Sequence, residues 1–189
     1  MLLKIINTSL ATSTVPESFK QASFTPLLKK PAHDRNVLKN YRPVSNLPFI
    51  SKILETVVSR FLSEHRTGNN LNMTLQSAYR QHHSTETAWL KEVHNDVLRA
   101  LDRRVCVFLV LLDLSAAFDT VDHGHLQALL EQQFGMSDSA LQWLSSYLSD
   151  TRQSVTIKGI GSEMRILKYG VPQGPVLFQG LSIPSGIID

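Results

Sequence analysis

Three aspartates follow the most apolar segment of the sequence, where carboxylates can hold a metal ion. The segment "VCVFLVLL" (105–112) leads directly into Asp113, and Asp119 and Asp122 follow shortly after. A short, uniformly apolar run is typical of a central strand, whose carboxyl end is where side chains meet ligands. Oxygen atoms are the ligands that Mg²⁺ prefers. Asp113 and Asp119 could therefore share a metal ion, or one could cap a turn; we assign Asp119 and Asp122 to turn and cap roles.

An apolar strand that ends in aspartate also occurs in nucleotide hydrolases, which carry a second motif. That motif is the phosphate-binding loop G-x-x-x-x-G-K-[ST], whose backbone N–H groups surround the phosphates. The sequence contains no such loop. The hydrolase interpretation therefore loses its main support.

The spacing of apolar residues predicts the elements that position these aspartates. Helices are expected from Ile50 to Gly68, from about Thr85 to Leu101, after the cap Asp122 and after the cap Ser137. Two strands, "QSVTIK" and "MRILKY", flank a glycine turn as a hairpin. Five prolines between positions 16 and 48 exclude long helices there and leave short extended pieces such as "ASFTPLL". The inner face of the second helix is expected to contain Leu90, Val93, Val97, Leu98 and Leu101.

Bulk composition indicates an intracellular globular chain, nuclear or cytoplasmic and not secreted. The longest apolar run is far shorter than the roughly 20 residues that span a bilayer, and "MLLKIINTSL" has no convincing cleavage site. Cys106 is the single cysteine and is expected to pack as a small buried side chain. Residues 1–104 carry a net charge of +7 and residues 105–189 one of −4. Such a division suits a protein that binds a polyanion and holds cations nearby, although uneven solvated faces would give the same pattern.

Several motifs follow one another in an order that is typical of one protein family. They are "TPLLKKP", "NYRPVSNLPFISKILE", "LQSAYRQHHSTETAW", "LLDLSAAFDTVDH", "WLSSYLSDTRQ" and "GVPQG". In this order the chain resembles a non-LTR retrotransposon reverse transcriptase of the long interspersed element type, over about residues 5 to 177. The combination of the aspartate strand with "GVPQG" is far more specific than either motif alone.

The resemblance implies roles for five residues around the predicted strand and the "GVPQG" loop. Asp113 matches the first catalytic aspartate, which with the Leu114 carbonyl holds two Mg²⁺ ions. Phe118 matches the bulky residue beneath the deoxyribose, which excludes a 2′-hydroxyl. Gln173 and Gly174 match the segment that lies against the incoming nucleotide and the template. Taken alone, Phe118 would be interpreted as a core aromatic side chain.

The resemblance also implies a cationic partner for the triphosphate. Arg42, with Lys29 or Lys30, matches residues of the fingers that bind the phosphates. Phosphoryl transfer needs positive charge on both sides of the reacting phosphorus, so metal ions on one side and Lys or Arg on the other fit that chemistry. Arg42 alone would be interpreted as a solvated loop charge.

The fold implied is α+β, a partial right-hand polymerase fold with fingers plus an incomplete palm. It is expected to be helix-rich with a small, mostly antiparallel sheet. Residues 1–104 correspond to a fingers-like region, residues 105–177 to a partial palm, and residues 178–189 to a tail outside the family pattern. The implied partners are an RNA template, a DNA primer and deoxynucleoside triphosphates, and no membrane.

The sequence departs from the family after "GVPQG". There the family has a helix and then a hairpin with paired aspartates, whereas this chain continues "PVLFQGLSIPSGIID" and contains no paired aspartates. Ligands worth about 5 kcal/mol of transition-state stabilisation would change the rate by roughly four orders of magnitude. We expect a truncated reverse-transcriptase domain that is inactive as a polymerase. The alternatives are a non-catalytic module that binds RNA or an RNA–DNA hybrid, and a remnant of a mobile element without a selected role.

Overall fold

The computed structural model describes residues 1–73, 76–78, 82–111, 119–171 and 177, and only the backbone of residues 91 and 92. The fold combines helices with a small mixed sheet, as the α+β prediction requires. The helices are α1 (Leu2–Ala11), α2 (Phe49–Gly68), α3 (Thr85–Ala88), α4 (Asn95–Asp102), α5 (His123–Gln132) and α6 (Asp138–Leu148). The strands are β1 (Gln21–Leu28), β2 (Tyr41–Asn46), β3 (Arg152–Ile157), β4 (Ile160–Gly161) and β5 (Arg165–Ile166). Within the described ranges, none of the helices is both long and apolar enough to span a bilayer.

The sheet joins two distant parts of the chain. Its strand order is β2-β1-β3-β4, and β5 also pairs with β3. β1 pairs with β2 in antiparallel orientation and with β3 in parallel orientation, so that Phe24 lies opposite both Ser45 and Val155. β3 forms antiparallel pairs with β4 and β5. The pairing with β5 confirms the predicted hairpin, whereas β4 lies within the predicted glycine turn.

Several predicted helix ends are confirmed by the local backbone. α2 ends at Gly68 as expected. Asp122 caps α5, because its carboxylate accepts a hydrogen bond of 2.8 Å from His125 N. Gly135, which follows α5, has a φ of +62°, a left-handed conformation that glycine adopts without steric cost. Ser137 is the N-cap residue of α6, but its hydroxyl contacts Asp138 rather than the helix backbone.

The hydrophobic core lies among α1, α2, α5 and α6. Apolar residues three or four positions apart on each helix form the buried face. The core includes Leu54, Val58 and Leu62 of α2, Leu126, Leu129 and Leu130 of α5, and Trp143, Leu144, Tyr147 and Leu148 of α6. Helix α1 was not predicted; it precedes the first of the five prolines and is held by a hydrogen bond of 3.0 Å from Trp143 Nε1 to Ser9 Oγ.

A buried lysine connects the start of β1 to the end of α6. Lys20 Nζ donates hydrogen bonds to the carbonyls of Ser146, at 3.0 Å, and Ser149, at 3.1 Å. The Ser146 carbonyl lies in the last turn of α6, at the negative end of the helix dipole, and Ser149 is the C-cap residue directly after the helix. The Lys20 carbonyl accepts a further bond of 2.9 Å from Arg152 N, at the start of β3. Lys20 therefore fixes β1 against the corner between α6 and β3.

The predicted helix at 85–101 forms, but the burial of its inner face was predicted wrongly. α3, a π-helical segment (Trp89–His94) and α4 follow one another, and Ser84 caps the start through a capping box. Leu90, Leu98 and Leu101 are exposed, and α4 buries no residue. An apolar face is buried only when another element packs on it, and no described element buries this one.

The central strand predicted for Val105–Leu112 is also not observed over its described part. Residues 105–111 form no strand with any described residue, and Phe108 is 91% exposed. Cys106, predicted to be buried, is exposed with them. A strand requires a neighbouring backbone for its hydrogen bonds, and the described residues provide none here. Leu112 lies outside the described residues.

Replacing Tyr147 with Phe tests the buried contact between α6 and α2. Tyr147 Oη donates a hydrogen bond of 2.6 Å to Glu55 Oε1, and both side chains are buried. Losing this donor beside a buried carboxylate should lower the free energy of unfolding by about 1–3 kcal/mol at pH 7. Urea titrations of Tyr147→Phe and of the exposed control Tyr169→Phe would measure the difference, and equal effects in the two variants would contradict the prediction.

The same pair should make the free energy of unfolding of the wild-type protein depend on pH. Burial, and then the Glu55 carboxylate, raise the pKa of Tyr147 well above its usual value. The unfolded state therefore loses this proton first, so the free energy of unfolding should fall as the pH rises above about 10. Tyr147→Phe should show a smaller decline between pH 8 and pH 10.5.

Candidate functional site

A cleft of about 420 Å³ opens on one face of the sheet. Side chains on a strand alternate between the two faces, and paired residues share a face. Phe24 and Pro26 of β1, Pro43 of β2, and Gln153 and Val155 of β3 accordingly lie on the same face, and all line the cleft. The floor of the cleft is therefore mainly apolar and aromatic.

A second part of the lining, which we call the wall, comes from residues that belong to or adjoin the two predicted motifs. Asp119 follows the aspartate strand in sequence, and Gly170 and Val171 begin "GVPQG"; all three line the cleft. Asp119 lies in a turn, as predicted, and is exposed. Leu167 and Tyr169 continue this wall from the end of the β5 segment.

Two hydrogen bonds join the segment after the aspartate strand to the start of the "GVPQG" loop. Gly170 N donates to the Val121 carbonyl at 2.7 Å. The Gly170 carbonyl lies 2.7 Å from His123 Nε2. Val121 and Val171 are both buried, with exposed fractions of 0% and 3%. The two motif segments are therefore held together directly.

The predicted cap Asp122 lies within this arrangement and keeps its charge. The hydrogen bond from His125 N, opposed by partial desolvation and aided by the nearby His125 ring, holds the pKa of the Asp122 carboxyl below its usual value. Its role is local, because it satisfies a free N–H group in the first turn of α5.

Five predicted site residues cannot be placed relative to the cleft. Asp113, Leu114, Phe118, Gln173 and Gly174 lie outside the described residues. Their roles remain predictions, although described neighbours of both segments line the cleft.

The three predicted phosphate-binding cations lie in the β1–β2 hairpin. Lys29 and Lys30 follow β1, and Lys29 N bonds to the Asn40 carbonyl at 2.8 Å beside Tyr41, which lines the cleft. Arg42 pairs with Leu27, so the strand alternation directs its side chain to the face opposite the cleft. All three side chains are exposed.

A metal site cannot be assembled from the described side chains. Across the described ranges, no group of three or more His, Cys, Asp or Glu residues comes together. Among the described residues that line the cleft, Asp119 provides the one carboxylate. A magnesium site would therefore depend on Asp113 and Leu114.

A second cleft, of about 490 Å³, lies between α2 and α6. It is lined largely by apolar side chains such as Phe61, Met136 and Trp143, with His65 at one side. It is slightly larger than the first cleft, but it is not lined by residues of the aspartate or "GVPQG" segments. We therefore regard the cleft on the sheet as the candidate site.

Comparison with known proteins identifies the family of the chain. Residues 28–182 match the family described as reverse transcriptase (RNA-dependent DNA polymerase). The chain therefore belongs to the reverse transcriptase family, and its relatives place it among those of non-LTR retrotransposons.

Curated relatives from fruit flies match almost the whole chain. The probable RNA-directed DNA polymerase from transposon BS of Drosophila melanogaster is 31% identical over 179 residues, or 93% of this chain and 19% of the relative. The polymerase from the mobile element jockey of Drosophila funebris is 31% identical over 177 residues, with the same coverage of both chains. The probable polymerase from transposon X-element of Drosophila melanogaster is 30% identical and covers 80% of this chain and 16% of the relative. The chain thus spans less than a fifth of the length of these relatives.

Some residues of the cleft were not identified from the sequence. Tyr41, Phe24 and Tyr169 line the cleft, and alternation along the predicted extended segments could have placed Phe24 with Pro26. His123, which contacts the Gly170 carbonyl, was likewise not identified as a site residue. No local pattern reveals a contact between residues so far apart in sequence.

Replacing Gly170 with Ala should destabilise the wall of the cleft. Gly170 has a φ of +84°, which is strained for a residue with a Cβ atom. We expect the free energy of unfolding to fall by about 1–3 kcal/mol. Gly68→Ala is the control, because an added Cβ there would meet no atom within 4 Å. Urea titration measures both variants, and an unchanged stability of Gly170→Ala would contradict the prediction.

Proposed function

We propose that the cleft on the sheet binds a deoxynucleoside triphosphate against a template, as part of the RNA-directed DNA polymerase domain of a retrotransposon. The observation that carries this proposal is the position of Asp119 and of Gly170 with Val171 on one wall of the same cleft. The family binds nucleic acid templates and nucleotides and generally uses divalent metal ions. The aromatic and apolar floor suits a base or sugar, since such surfaces favour stacking.

The phosphates would lie near the end of the β1–β2 hairpin where the connecting loop begins. Lys29 and Lys30 stand there, next to the cleft residue Tyr41. Arg42 lies on β2, which is an edge strand among the described strands, so its long side chain can pass around the edge of the sheet. These exposed cations provide the charge that triphosphate binding requires.

The proposed catalytic assignments follow the family motifs. Asp113 and the Leu114 carbonyl would hold Mg²⁺, Phe118 would lie beneath the sugar, and Gln173 with Gly174 would contact the nucleotide and the template. Residues 1–104 would serve as fingers and residues 105–177 as part of the palm. This 189-residue chain is proposed to be inactive as a polymerase by itself, because it contains no paired aspartates to complete a two-metal site.

A second candidate function is RNA or RNA–DNA hybrid binding without catalysis. It is favoured by the +7 charge of residues 1–104 and by the exposed cations of the hairpin. Binding of this kind weakens steeply with salt because counterions are released from the phosphates.

A template-primer extension assay with Mg²⁺ tests the catalytic part of the proposal. We expect no DNA synthesis by the wild-type chain, while RNA binding that weakens with salt shows that the preparation retains a binding surface. Asp113→Asn serves as the matched variant. DNA synthesis that is present in the wild-type chain and lost in Asp113→Asn would contradict the proposed inactivity.

Nucleotide binding tests the cleft itself. The double variant Lys29→Ala/Lys30→Ala should raise the Kd of a fluorescent deoxynucleoside triphosphate about tenfold, and Arg42→Ala should raise it about threefold, because phosphate contacts are lost. Arg60→Ala is the control, since Arg60 is an exposed residue of α2 that pairs with Glu64. Equal Kd values in all these variants would contradict the proposed position of the phosphates.

A further inference from the structure

We infer that His123 is a positioning residue that fixes the start of the "GVPQG" loop relative to the aspartate segment. This inference rests on the proposed nucleotide-binding function of the cleft. His123 does not line the cleft; it acts through Gly170, which does.

The geometry makes His123 one half of a two-bond clasp around Gly170. Gly170 N donates to the Val121 carbonyl, and His123 Nε2 contacts the Gly170 carbonyl, each at 2.7 Å. The backbone N–H and the carbonyl of Gly170 are thus both bonded, to Val121 and to His123, which lie two positions apart. A translation or rotation of Gly170 would break at least one of these bonds.

The chemistry of the contact determines which form of the ring is needed. A carbonyl oxygen only accepts hydrogen bonds, so Nε2 of His123 must carry the proton. The contact is partly buried, where competition from water is reduced. Gly170 has a φ of +84°, a backbone conformation that residues with a Cβ atom rarely adopt. A glycine is therefore favoured at this position of the clasp.

The clasp has a direct connection to the proposed nucleotide contacts. Gly170 and Val171 line the cleft, and Gln173 and Gly174 follow them within the same motif. On the other side, Val121 follows the turn at Asp119, which lines the cleft as well. His123 therefore couples the two motif segments whose relative position determines the shape of the wall.

His125 provides a matched control within the same helical turn. The His125 ring is exposed and lies 3.4 Å from the Asp122 carboxylate. The backbone N–H of His125 donates the capping hydrogen bond to that carboxylate. Its side chain faces the Asp122 carboxylate and makes no hydrogen bond to Gly170. Replacing it with Leu keeps the backbone cap while removing an imidazole from the same end of α5.

The experiment compares His123→Leu, His123→Gln and His125→Leu in two measurements on the full chain. Hydrogen exchange of the Gly170 amide reports the clasp, and the Kd of a fluorescent deoxynucleoside triphosphate reports the cleft. His123→Leu should accelerate exchange and raise the Kd, each about tenfold, through loss of one hydrogen bond. His123→Gln can place an amide N–H near the Nε2 position and should recover most of both values. His125→Leu should resemble the wild type.

Each outcome decides the inference. Unchanged exchange in His123→Leu, or equal acceleration in His125→Leu, would overturn the clasp. Accelerated exchange with an unchanged Kd would overturn the positioning role. If the wild-type chain binds no nucleotide, the proposed function fails and the inferred role in nucleotide binding fails with it, while the exchange rates still decide whether the clasp exists. If His123→Leu does not fold, His123→Asn replaces it, because its shorter amide does not reach the Nε2 position.

Discussion

The junction at Lys20 is the constraint on which the candidate site depends. Its buried ammonium binds the carbonyls of Ser146, in the last turn of α6, and of the C-cap residue Ser149, and its own carbonyl accepts a hydrogen bond from Arg152 at the start of β3. The parallel pairing of β1 with β3 begins at the next residue, where Gln21 lies opposite Arg152. Parallel strands need a long connection between them. The pairing of β1 with β3 accordingly joins parts of the chain that are more than a hundred residues apart in sequence. Without it, the face of the sheet that forms the floor of the cleft would not exist.

The second constraint lies on the wall of the cleft, where hydrogen bonds of backbone groups, rather than charged side chains, determine how the chain is placed. Gly170 is bonded to Val121 and lies against His123, and its left-handed backbone directs the chain from the β5 segment into the "GVPQG" motif. The hydrogen bonds of Gly170 and the buried side chains of Val121 and Val171 therefore hold the wall in place. Rigid placement of this kind suits a nucleotide site, since a reactive group must be held close to its productive position.

Sequence patterns were most informative where the interactions are local. The periodicity after Ile50 predicted α2, and the polar residue Asp122 predicted the start of α5, because a cap and a helical face depend on neighbours within a few residues. The patterns failed at 105–111, where apolar composition indicated a buried strand but the described chain provides no pairing partner and leaves Phe108 exposed. Exposed apolar surface of this kind favours aggregation. The ordered motifs identified the family, whereas the contact of His123 with the "GVPQG" loop depends on tertiary structure that no local spacing encodes.

Photochemical crosslinking of a deoxynucleoside triphosphate bearing a photoreactive base tests the location of the site most directly. The described part of the chain forms a cleft on the sheet and another of similar size between α2 and α6. Mass spectrometry of the adducts should place them on the sheet cleft, at residues such as Tyr41 or Tyr169, and excess unlabelled nucleotide should suppress them. Competable adducts at Phe61 or Trp143, with none on the sheet cleft, would contradict the account.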